Sequence, residues 1–134
     1  MPSTPTLRHA RSMRLLKVSL VAGAAYDVVF AVLMVAAPEL PARLLELPMP
    51  GEAFYLWIMA TFLLMIAGFY GYAAYDPRSY GGNIRIAIVG RTLGAIVFCA
   101  CALGRDDLWG LYPLAAADLA FAIVHWIFWR GMRR

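Results

Sequence analysis

Asp27, Arg91 and Asp118 each stand inside an otherwise apolar stretch of the chain. A charge placed in a hydrocarbon-length segment is costly, so such residues pair with one another, hold a ligand or carry protons. Two carboxylates and one guanidinium sum to a formal −1, which points to a carboxyl that holds a proton or takes a cation. Two readings follow. In one, the trio is a ligand-binding or proton-linked pocket, with Arg91 orienting an anionic or carbonyl group and Asp27 or Asp118 exchanging a proton. In the other, an Arg–Asp clamp fixes helix register.

Four further residues join the candidate site: Tyr26 and Thr92, beside charged members in sequence, Tyr70, one turn in from an aromatic segment end, and His125, nearer the end of the last segment. His125 cannot give the bis-His ligation of a haem, because the only other histidine, His9, precedes the first apolar stretch. Cys99 and Cys101 are two apart and point to different faces of a helix. There is no CxxC, Cys/His cluster, phosphate loop or Ser/His/Asp order, so the sequence offers no metal site and no thiol redox motif.

The elements that must position these residues follow from composition. Of 134 residues, 63% are hydrophobic and 15% charged, far from a soluble domain. Four windows reach the roughly 20 apolar residues that a bilayer crossing needs: about 15–37, 53–75, 84–103 and 108–129. The expectation is an all-α, polytopic membrane protein, a four-transmembrane-helix bundle forming one domain over 1–134. At about 1.5 Å of rise per residue, Asp27 lies roughly 15 Å beyond Lys17, Asp118 at a similar depth, and Arg91 about 10 Å in. All three can reach one layer.

The net charge of +4 does not mark a nucleic-acid partner, because the cations gather at segment borders instead of interleaving with exposed aromatics. Arg8, Arg11, Arg14 and Lys17 precede the first helix; Arg78 and Arg85 flank the second connection; Arg130, Arg133 and Arg134 follow the last helix. The other connections are acidic or balanced. The positive-inside rule therefore predicts both termini in the cytoplasm and a multi-pass protein of the cell inner (cytoplasmic) membrane. The first segment is too long for a signal-peptide core, carries Asp27 and is followed by Pro38, so it is expected to be retained. Residues 1–12 read as a mobile polar tail, and 40–47, with leucines on one face between prolines, as a short interfacial helix that could lie over the outer mouth. Gly90 and Gly94 form a GxxxG pair, a mark of close helix approach.

The segment Ala37-Pro-Glu-Leu-Pro-Ala-Arg-Leu-Leu45, the basic N-terminus and Gly90-Arg91-x-x-Gly94 together resemble the DoxX-like group of small bacterial membrane proteins. That resemblance implies a quinone-proximal or accessory role and transfers no catalytic residue. The expected function is a lipophilic-ligand binding or accessory subunit of a membrane complex, taking a quinone or other isoprenoid lipid, with Tyr70 and Phe98 along the pocket walls. Its partners would be the lipid bilayer and either other membrane subunits or further copies of the chain. An oligomeric proton- or cation-coupled transporter and a purely structural subunit are the alternatives.

Overall fold

The computed structural model describes residues 4–133, five α-helices and one 3-10 turn. The helices are α1 (Thr4–Ala36), α2 (Glu39–Leu44), α3 (Ala53–Tyr75), α4 (Gly81–Ala102) and α5 (Leu111–Arg133). α1, α3, α4 and α5 are long and apolar enough to cross a membrane. α1 corrects the expected tail: it is helical from Thr4, because Pro5 suits a first turn and nothing between it and Ala36 breaks a helix. Met1–Ser3 and Arg134 lie outside the described residues.

The four long helices bury the small side of each helix. Gly23 and Ala31 of α1, Ala60, Ala67 and Ala74 of α3, Ala87 and Ala95 of α4, and Ala115 and Ala122 of α5 face inward, two helical turns apart. Large apolar side chains face out: Phe54, Trp57, Phe62, Ile86 and Leu93 are all more than half exposed. This distribution is inverted relative to a soluble domain and suits apolar surroundings, where small residues let helix backbones approach. α1 packs along α3 and α5, and α4 along α5, whereas α3 meets α4 over a much shorter stretch. The result is two helix pairs, with a seam between α3 and α4.

Each end of the bundle has its own charge. Arg11, Arg14, Lys17, Arg78, Arg85, Arg130 and Arg133 share one end with Asp76, and three of these guanidinium groups lie 5.1–5.4 Å from the rings of Trp126 and Trp129. Lys17 there donates to the carbonyl of Tyr75 (2.9 Å), joining the middle of α1 to the end of α3. The α3–α4 turn is closed by Asp76, whose carboxylate accepts from the Arg78 and Ser79 amides and the Ser79 hydroxyl. The Ser79 hydroxyl in particular holds the Asp76 carboxyl below its usual range.

At the acidic end, α2 stops in a Schellman arrangement. The Leu47 amide donates to Ala42 and the Glu46 amide to Arg43, while Glu46 takes a left-handed φ of 50°. A glutamate there is unusual, and its carboxylate accepts from the Trp109 indole at 3.3 Å. Beside it the Leu45 carbonyl sits so close to Gly110 that no Cβ could be placed on that glycine. The loop after α2 is thereby clasped to the start of α5.

Candidate functional site

Arg91 projects from the inner face of α4, between Ala87 and Ala95, and is 7% exposed. Its Nε donates to the Tyr70 hydroxyl of α3 (2.9 Å). One terminal nitrogen donates to Asp118 Oδ1 of α5 (2.5 Å), the other to Asp27 Oδ1 of α1 (2.7 Å) and to the Gly23 carbonyl (3.3 Å). One side chain thus bonds to each of the other three long helices. Both carboxylates pair with it, each through its Oδ1. The rings of Tyr26, Tyr70 and Phe121 surround the guanidinium, their centroids 5.1–5.3 Å from its central carbon, within cation–π range.

The glycines around the hub differ in what they make room for. Gly23 offers its main-chain carbonyl to Arg91, and a Cβ there would meet Tyr70 and His125 at 3.4–3.5 Å, an ordinary contact. The GxxxG pair divides its work: a Cβ at Gly94 would come within 2.5 Å of Asp118 Oδ2, whereas one at Gly90 would meet nothing within 4 Å. Gly94 makes room for a carboxylate, and Gly90 borders open space.

That space is a cavity of about 230 Å³ in the α3/α4 seam. Its inner wall includes Asp27, Tyr70, Arg91 and Asp118, and its rim carries Ile66, Phe69 and Ile86, which are 39%, 47% and 65% exposed. It therefore opens sideways, onto the apolar flank of the bundle. Phe98, expected along its wall, does not line it. Asp27 Oδ2 is fully buried and has no hydrogen-bond partner among the described residues.

The remaining expected residues are placed differently. Tyr26 lies over the guanidinium and packs on Phe30 and Phe121. His125 is 0% exposed, edge-on to Tyr70 and stacked on Phe121, and neither ring nitrogen makes a hydrogen bond of normal geometry among the described residues. Thr92 does not join the group: its hydroxyl donates back to the Ile88 carbonyl of its own helix (2.8 Å). Its sequence neighbour Arg91 points about 100° away around the helix. Two participants, Phe121 and the Gly23 carbonyl, were missed. The available signal was spacing, since Phe121 follows Asp118 by three residues and Gly23 precedes Asp27 by four, each on the same helix face.

Arranged this way, the site can hold a small polar group at the inner end of an apolar recess, and a fixed hub binds four helices together. No protein-family model, curated protein or solved structure matches the chain.

Proposed function

We propose that the chain is a multi-pass protein of the inner (cytoplasmic) membrane with both termini on the cytoplasmic side. In this reading the seam cavity holds a lipophilic molecule of the quinone or isoprenoid kind, and the protein serves as a binding or accessory subunit of a membrane complex. The observation that carries it is the sideways cavity ending on Asp27, Tyr70, Arg91 and Asp118. Most of a ligand pocket is apolar with a few convergent polar groups, and this recess has that make-up. The basic end supports the orientation by the positive-inside rule, and the likeness to DoxX-like proteins supports a place beside quinone-linked oxidoreductases.

Conduction of a proton or cation fits less well. Leu16, Leu20, Ile84 and Met132 form one core cluster with Tyr70 and fill the bundle between the charged hub and the basic end.

The test is native mass spectrometry of the protein released in its own lipids, beside Gly90→Leu. That substitution fills the recess without meeting a neighbouring atom at Cβ. The native chain should retain a lipophilic small molecule that the variant loses while keeping its helicity. Equal retention by both would place the ligand elsewhere and end this reading. Stoichiometric foreign subunits with no small molecule would make the chain a structural component.

A further inference from the structure

The hydrogen-bonding groups around the recess are unevenly spent. A guanidinium has five N–H donors. The Nε hydrogen goes to Tyr70, one terminal nitrogen gives a hydrogen to Asp118, and the other gives hydrogens to Asp27 and Gly23. Only one N–H of Arg91 is left. On the acceptor side, Asp27 Oδ2 is buried and unpartnered, although Asp27 is only 1% exposed. The Tyr70 hydroxyl accepts from Arg91, so its own hydrogen is available to donate. The formal charges of Asp27, Arg91 and Asp118 sum to −1, and no other Asp, Glu, Lys or Arg among the described residues lines the cavity.

We propose that the head group admitted to this recess is a hydrogen-bond donor: a hydroxyl, as on a hydroquinone or an isoprenoid alcohol, in preference to a bare carbonyl, a carboxylate or a phosphate. This rests on the reading of the recess as a lipophilic-ligand site, and it reverses the expectation that Arg91 would orient an anion or a carbonyl. Arg91 is already held by two carboxylates, so an incoming anion meets a net negative site in a low-dielectric setting. A carbonyl brings only acceptors and leaves Asp27 Oδ2 without a partner, which is costly for a buried charged acceptor. A hydroxyl serves both needs. Its oxygen accepts from Tyr70, and its hydrogen goes to Asp27 Oδ2 once the Asp27 carboxyl turns toward the recess that it lines. Size agrees: an apolar cavity of about 150 Å³ takes a benzene ring, so 230 Å³ admits one substituted ring, with its tail lying along the seam.

The experiment measures binding of four probes to the full chain in lipid nanodiscs under anaerobic conditions: decyl hydroquinone, its quinone, its dimethyl ether, and dodecanoate. The hydroquinone should bind about tenfold or more tightly than each of the others, the scale of a charge-assisted hydrogen bond. Asp27→Asn should bring hydroquinone and dimethyl ether to within about threefold of each other while binding persists. The comparison on the native chain stands even where the variant folds poorly. Equal affinities, or a preference for the quinone, would overturn the proposal, the latter by showing that Asp27 itself supplies the proton. Tightest binding of dodecanoate would overturn it too. No saturable binding of any probe, with Gly90→Leu indistinguishable from the native chain, would instead sink the pocket reading beneath it.

Discussion

Arg91 and Arg105 make nearly the same bond in very different places. Each places a terminal guanidinium nitrogen 2.7 Å from an aspartate oxygen, on Asp27 and Asp107 respectively. The first pair is 7% and 1% exposed; in the second both side chains are 58% exposed. Arg105 and Asp107 are two residues apart, so their bond ties a loop to itself. Arg91 bonds to three other helices, and the carboxylates it holds are buried with it. Distance alone therefore says little about what an ion pair is worth: a solvated pair exchanges its partner for water at small cost, while removal of one member of a buried pair strands the rest.

The largest effect should come from Arg91→Leu, which leaves two buried carboxylates facing each other. Loss of a partner in a buried pair costs about 3–5 kcal/mol, readable by steric trapping or reversible unfolding in mixed micelles. Adding Asp27→Asn should restore part of that loss, because a stranded charge goes with it; strictly additive costs would mean the two do not interact. A middle effect should come from Gly94→Ala, where the new methyl must push Asp118 aside for about 1–3 kcal/mol, the usual cost of overpacking. Gly90→Ala, four residues away and facing open space, should cost less than half as much. Equal losses at the two glycines would return the GxxxG pair to ordinary helix packing.

The smallest effect should come from Arg105→Ala, which should lower the unfolding midpoint at neutral pH only marginally, because an exposed ion pair is worth little. The hydrogen bond from Arg105 holds the Asp107 carboxyl below its ordinary 3.8. A carboxyl lowered by folding adds stability above its unfolded pKa and gives it up as pH falls through the folded one. The contribution is therefore lost only in acid, below 3.8. The Asp107 carboxyl resonance should titrate closer to 3.8 in the variant. A drop in the neutral midpoint as large as that of Arg91→Leu would erase the distinction between the two arginines.

Much of this arrangement was legible before any coordinates, for physical reasons that differ by region. Four long helices follow from apolar runs of hydrocarbon length, and charges as rare as Asp27, Arg91 and Asp118 in such runs draw attention by themselves. Depth was readable from residue counting, but rotation about each helix axis was not, so Thr92 was included for standing next to Arg91 although it faces another way. Phe121 stayed hidden because a phenylalanine in an apolar helix is ordinary. The start of α1 was misjudged because polar residues before Leu15 suggested coil, whereas helix formers and an early proline carry the helix back to Thr4. Glu46 gave no sign of a turn, since the left-handed conformation it adopts favours glycine or asparagine.

The clasp of Leu45 and Glu46 on Gly110 and Trp109 has a mechanical consequence for the seam between α3 and α4. At the acidic end it ties the loop after α2 to the start of α5; at the basic end the short Asp76–Tyr80 turn joins α3 to α4 through the chain itself. The turn therefore fastens α3 directly to α4 at the basic end, while the clasp sits on the opposite edge, where α1 already packs on α5. The seam is stitched at one end only, and the flank between Ile66 and Ile86 is the side of the recess that no such tie crosses.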